Sequence, residues 1–508
     1  MDAPRRILAC IAIATLAACG GGGGGGSSSS TTPPAPVLVS GFTDPVLYSS
    51  AASASLATAA EITTTTRRTI TLGGVPRAYT AKVGHLSALA SGSGQPEASF
   101  FYVAYTLDDA SAATRPVTFF YNGGPGSATV WLHLGSYGPR RIATDTPGAA
   151  GPTPYPLVDN TESLLDTTDL VFVDAVGSGW SEAIAPFTNR SFWGVDEDAG
   201  VFRDFIQRWL LVNGRTASPR FLFGESYGTT RSAVLGNLLE MAGVDVNGIV
   251  LQSSALDYNS NCGIVDTPPS CSANLPTYNA AAAWYGLAPL DLANARVVGD
   301  TRWDPVARAS IANPATTLDP QLATMLAAVS GLAAGRWQLT PNLGPVTFQQ
   351  SLRPGNLIGI YDARVSAPNG TSLTVGGDPS NAYIARSFAT RIIEYLGGEL
   401  GYTNPSSYTM LSSAIDVWNF RHDGRDLPDT VPDLASAFAH NPRLKVFSTG
   451  GFHDLATPFH VTEKDTARLG AAAPLAHYFY PGGHMTYLDD AARRQQKADL
   501  VEFMRSVL

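Results

Sequence analysis

The sequence predicts an α/β fold: a mostly parallel central sheet with helices on both faces and a cap inserted between its two halves. Three observations carry that expectation. From residue 116 onward, short apolar runs alternate with Gly/Pro turns and a run of helical period, the rhythm of strand–helix units in a parallel sheet. One run, residues 220–223, passes straight into Gly224-Glu225-Ser226-Tyr227-Gly228 and then into a helix-like run at 231–241. Two later runs, 444–448 and 477–480, each lead into a glycine turn carrying an Asp or a His.

Composition narrows the class. The chain has 508 residues, 44% hydrophobic and 15% charged, which excludes a disordered protein. Beyond the N-terminus no apolar run reaches the roughly 18 residues that a membrane-spanning helix needs. Net charge is −9 and no Lys/Arg run exceeds two residues, so nucleic acid is not an expected partner.

The elements follow in order. Arg5 and Arg6 precede a run of apolar or small residues at 7–18 that ends Leu16-Ala17-Ala18-Cys19, followed by glycines and Ser27 to Ser30. This resembles a bacterial lipobox. It predicts a lipoprotein signal peptide at 1–18, lipidation of Cys19 and a Gly/Ser/Pro-rich tether at 19–38. An ordinary secretory signal with a chance Cys is the alternative. Either way the chain is exported; with the anchor it sits in the cell envelope, touching membrane only through lipid. Cys262 and Cys271 remain for the mature fold, and in an oxidising compartment they are expected to pair. Two isolated cysteines supply too few ligands for a metal site, and no cofactor is expected.

Residues 39–255 read as the first half of the core. Runs such as 61–72 and 99–105 are strand and hairpin material, and 117–121, 170–174, 220–223 and 249–252 are buried strands. Residues 196–211 form a helix. Asp196, Glu197 and Asp198 crowd its first turn, and Val201, Phe202, Phe205, Ile206, Trp209 and Leu210 mark one face. Residues 256–390 lose the rhythm and are expected to be a partly helical cap. Residues 391–508 resume the core with buried strands at 444–448 and 477–480. The chain closes on a helix at 489–507, with Leu500, Phe503, Met504 and Val507 on one face.

The motifs point to nucleophilic acyl transfer. Gly-x-Ser-x-Gly after a strand is the nucleophile elbow: the glycines leave room for a sharp turn that exposes the Ser226 hydroxyl. Such sites follow the order Ser, acid, His, and Asp454 and His484 stand in that order. The His takes the serine proton, and the Asp fixes its tautomer. His453 and His460 compete with His484 for the base. Asn122-Gly123-Gly124-Pro125-Gly126 follows an early strand and can present a backbone N–H to a developing oxyanion.

Taken together, Asn-Gly-Gly-Pro-Gly-Ser at 122–127, Gly-Glu-Ser-Tyr-Gly at 224–228, the segment 172–181, Asp454 in its turn and Gly-Gly-His-Met at 482–485 resemble the serine carboxypeptidase family of α/β hydrolases. The resemblance implies Ser226 as nucleophile, Asp454 as acid and His484 as base. It implies the Gly124 and Tyr227 amides as oxyanion hole, and Asn122, Gly123 and Glu225 as ligands of a peptide's C-terminal carboxylate. Two positions depart from the family pattern. Ser127 stands where a disulfide-bonded Cys is usual, and Ser136 stands where a second carboxylate-binding Glu is usual. Arg140 and Arg141 follow shortly after and could reach the carboxylate instead. The implied activity is a serine-type carboxypeptidase acting on peptides. An esterase or acyltransferase on the same scaffold is the alternative, and an inactive binding protein is the reading from a different class.

Overall fold

The apolar runs are strands of one ten-stranded sheet. In chain order they are β1 (Thr63–Leu72), β2 (Val75–Leu89), β3 (Pro96–Leu107), β4 (Val117–Tyr121), β5 (Asp169–Val173), β6 (Glu182–Ala183), β7 (Arg220–Glu225), β8 (Gly248–Gln252), β9 (Lys445–Gly451) and β10 (Leu475–Tyr480). Across the sheet the order is β10-β9-β8-β7-β4-β5-β3-β2-β1, with β6 also paired to β3. Neighbours from β10 to β5 run parallel, while β3, β2 and β1 close the other side as an antiparallel meander. The computed structural model describes residues 41–59, 61–112, 114–147, 154–264 and 269–508. The expected signal peptide, Cys19 and the tether lie outside these residues.

Helices α1 (Val130–Gly135), α2 (Val195–Val212) and α3 (Tyr227–Met241) accompany the first half of the sheet. The central strands are buried on both faces because their alternate side chains enter two separate cores. Val117, Phe119 and Tyr121 of β4 pack with Phe202, Phe205, Ile206 and Trp209 of α2. Phe120 points the other way, stacked between Phe172 and Phe223 at 4.7 and 4.8 Å. This two-sided burial is why these strands appear as unbroken apolar runs rather than alternating ones.

Between β8 and β9 the chain leaves the sheet. Helices α4 (Leu275–Trp284), α5 (Leu292–Val298), α6 (Asp304–Ala312), α7 (Pro320–Ser330), α8 (Ala334–Leu339) and α9 (Pro345–Ser351) surround a third core that includes Tyr278, Trp303, Trp337 and Phe348. Cys262 and Cys271 are bonded at its edge. Helix α10 (Pro379–Gly398) returns to the sheet, its Phe388 ring 4.8 Å from Trp131 of α1. Helices α11 (Val431–His440), α12 (Phe459–Ala467) and α13 (Asp490–Ser506) complete the second half. Asp489 caps α13 by accepting from the amides of Ala491 and Ala492.

The expectation of a buried strand at 477–480 needs correction. β10 is the edge of the sheet with one neighbour, and among its residues only Tyr480 is fully buried.

Candidate active site

The site forms where three strand ends meet. β7 ends at Glu225, and Ser226 turns the chain into α3 with φ 60° and ψ −126°. This backbone conformation is costly for a residue with a side chain and persists only where its surroundings enforce it. The enforcement is visible at Gly224, where a Cβ would strike the Gly228 carbonyl and the Ser232 hydroxyl. The Ser226 amide donates to the Gln252 carbonyl at 2.9 Å. Because α3 starts at Tyr227, the Tyr227 N–H has no acceptor within its own helix. The Asn122–Gly124 turn lies directly against that helix start. At Gly123 a Cβ would fall on the amides of Tyr227 and Gly228, so only glycine allows the approach.

Asp454 sits in the turn after β9, fully buried. Its Oδ1 accepts from the amides of Ala456 at 2.9 Å and Thr457 at 3.0 Å. Its Oδ2 accepts from the Thr457 hydroxyl at 2.6 Å and faces His484 Nδ1 at 2.8 Å. His484 follows β10. Its N–H donates to the Tyr361 carbonyl at 2.6 Å, and its own carbonyl accepts from Ser253 Oγ at 2.6 Å and Gln252 Nε2 at 3.1 Å. Burial disfavours the charged imidazolium, but Asp454 and then Glu225 outweigh it and hold His484 above the ordinary histidine value.

Ser226 and His484 line one open cleft of about 480 Å³, solvent included, with Asn122, Gly123, Gly124 and Glu225. Glu225 Oε1 accepts from Asn122 Nδ2 at 2.8 Å, while Asn122 Oδ1 accepts from the Leu132 amide at 3.0 Å, which fixes the orientation of that side-chain amide. From α3, Arg231 Nη1 donates to the Asn122 carbonyl at 2.8 Å. Burial pushes the Glu225 carboxyl up to about 7; nearby His484 and Tyr487 work against that rise and Asp454 adds to it.

The remaining wall comes from Ser127, Trp131, Tyr361, Asn381, Leu411 and Met485. The Ser127 hydroxyl donates to the Ala128 and Met410 carbonyls at 3.1 and 3.3 Å and accepts from Trp131 Nε1 at 3.1 Å, and Ser127 pairs backbone to backbone with Leu411. Tyr361, Asn381 and Leu411 lie between β8 and β9, where no motif marks them.

Several sequence candidates fall elsewhere. Ser136 is buried and donates to the Leu132 carbonyl at 2.6 Å, facing its own helix. Arg140 pairs with Asp159 and Glu399, and Arg141 with Asp490, so neither guanidinium lines the cleft. His460 lies between Glu463 at 2.6 Å and Asp300 at 3.0 Å, joining α12 to the inserted helices. His453 is buried beside Trp284, and burial pushes it down to about 4.

A family model described as serine carboxypeptidase matches residues 76–240, from β2 through α3, with Asn122 and Ser226 inside the match. Over this third of its length the chain is similar to the serine carboxypeptidase family. Serine carboxypeptidase-like 9 of Arabidopsis thaliana is 27% identical over 138 residues, so the chain matches 27% of its own length and only 30% of that relative's. A prohormone-processing carboxypeptidase from Saccharomyces cerevisiae superposes with a TM-score of 0.53 at 14% identity, covering 84% of this chain and 91% of that one. At that identity the likeness is one of fold, and the fold is that of an α/β hydrolase. Asp454 and His484 lie beyond the stretch matched by the serine carboxypeptidase model.

Proposed function

We propose that this chain is a serine-type carboxypeptidase that hydrolyses the C-terminal bond of peptides. The observation that carries the reading is the buried Asp454–His484 hydrogen bond at 2.8 Å, opening onto the cleft that holds the strained Ser226. His484 Nε2 takes the Ser226 proton as Oγ attacks the scissile carbonyl carbon, and the Gly124 and Tyr227 amides receive the oxyanion. His484 then protonates the leaving amine, and water attacks the acyl-enzyme by the same route in reverse. Asn122, Gly123 and Glu225 receive the terminal carboxylate. Below about 7 the Glu225 carboxyl is protonated and can donate to that carboxylate; above, it is charged and repels it.

A fluorophosphonate probe should label wild type and fail on Ser226→Ala, whose turnover should fall by about 10⁴-fold or more. Hydrolysis of an N-blocked dipeptide should favour the free acid over its amide. Labelling with equal rates on acid and amide at every pH would replace the carboxypeptidase with a general serine hydrolase, the esterase or acyltransferase reading.

Cys19 is proposed as a lipid anchor and 19–38 as its tether, which places the enzyme in the cell envelope. Among the described residues no helix is long and apolar enough to cross a membrane. Cys19→Ser should leave the precursor unprocessed or release the protein; a processed wild type found only in the soluble fraction overturns the anchor.

A further inference from the structure

Tyr487 stands behind the cleft and has no part in the motifs or in the proposed chemistry. It belongs to the short helical turn Thr486–Leu488, just beyond His484, and is fully buried. Its ring is pressed against the end of α1: a Cβ on Gly135 would come within 2.7 Å of Tyr487 Cε2. That contact fixes the ring and aims its hydroxyl at Glu225 and Asn122. Asn122 already occupies Glu225 Oε1. Glu225 Oε2 and the Tyr487 hydroxyl are two buried polar atoms, neither of which makes a full hydrogen bond in the structure, and the hydroxyl interacts with both Glu225 and Asn122. Leaving either one unbonded would be costly, and each is the complement the other lacks, an acceptor and a donor.

We propose that Tyr487 is a positioning residue of the carboxylate subsite: its hydroxyl holds Glu225 through Oε2, so that the subsite contains one titrating carboxyl braced by two neutral donors, Asn122 and Tyr487. The inference rests on the carboxypeptidase reading for its consequence in turnover, though not for the bond itself. The groups facing Glu225 are Asn122 from the turn after β4, Tyr487 and His484 from the segment after β10, and Asp454 from the turn after β9. His484 and the Tyr487 hydroxyl favour the charged carboxylate; burial and Asp454 favour the protonated form. Removing the hydroxyl therefore raises the proton affinity of Glu225. Binding of the substrate carboxylate, which needs that proton, then persists to higher pH.

The test uses Tyr487→Phe, which keeps the ring and its packing. The ratio of kcat/KM for an N-blocked dipeptide to that for its amide should fall with pH through one midpoint in wild type. In Tyr487→Phe that midpoint should move up by roughly one pH unit, the loss of one hydrogen bond to a charged group. In a Glu225→Gln background the same substitution should leave the ratio without a midpoint to move. Infrared titration of the buried carboxyl C=O stretch, assigned with Glu225→Gln, reads the bond without substrate and should show the same upward shift. An unmoved or lowered infrared midpoint overturns the proposal. An upward infrared shift in an enzyme that does not distinguish acid from amide would keep the Tyr487–Glu225 bond and sink the carboxypeptidase reading.

Discussion

Asp198→Ala tests how the cleft is braced from behind. Asp198 of α2 accepts from Arg231 Nε at 2.7 Å and Nη2 at 3.2 Å, while Arg231 Nη1 reaches the Asn122 carbonyl at 2.8 Å. Both side chains are buried, and the guanidinium lies 4.4 Å from the centre of the Phe202 ring. Two unit charges about 4 Å apart attract by about 4 kcal/mol at an effective dielectric near 20. Removing one partner of a buried pair costs about 3–5 kcal/mol, because the charge left behind has no water to turn to. The Phe202 face and the Asn122 carbonyl still stabilise Arg231, so the expected loss is at the lower end, about 3 kcal/mol. Urea unfolding followed by tryptophan fluorescence reads it directly. The double variant Asp198→Leu/Arg231→Met removes both charges and should recover most of the stability. It also removes the donor to the Asn122 carbonyl, so kcat/KM should stay roughly tenfold or more below wild type. A single-variant loss below about 1 kcal/mol, or a double variant as unstable as the single, would refute this account of the brace.

Asp454→Asn should lower kcat by about 10⁴-fold with the fold intact. Because the Asp454 charge helps hold His484 above its ordinary value, the acid limb of kcat on a neutral amide substrate should move to lower pH; an unmoved limb would separate the two residues. His422 lies between Asp196 at 2.6 Å and Asp433 at 2.9 Å, and these bonds raise it to about 10. Its charge therefore stabilises the fold fully below the unfolded value of about 6.5, and that contribution is lost as pH rises toward 10. The wild-type urea midpoint should decline across that window and His422→Gln should flatten the decline; equal slopes would sink the idea.

The central strands were legible because burial on both faces writes them as unbroken apolar runs, as at Val117–Tyr121 and Gly248–Gln252. The edge strand β10 was misjudged because a residue such as Phe479 looks the same whether or not a further strand covers it. Order and glycine context single out Asp454 and His484, and the structure brings the two side chains to 2.8 Å of each other. Tyr487 was not, since one aromatic residue beyond Met485 carries no pattern; its meaning depends on Gly135, distant in sequence, leaving room for the ring. Tyr361 and Asn381 were hidden because no motif marks either one, although Asn381 stands in the first turn of the periodic helix α10. Ser136 was visible only as a missing Glu; its return bond to Leu132 needed coordinates.

The fastening at Ser127 has a consequence for handling the protein. One hydroxyl, shared among Ala128, Met410 and Trp131, and one backbone pairing with Leu411 join the turn after β4 to the opposite wall of the cleft. No sulfur takes part in that seam. A thiol reductant can open Cys262–Cys271 at the edge of the inserted helices, but it has nothing to cut beside Ser226. A reductant should therefore act on the inserted helices and leave the Ser127 seam in place.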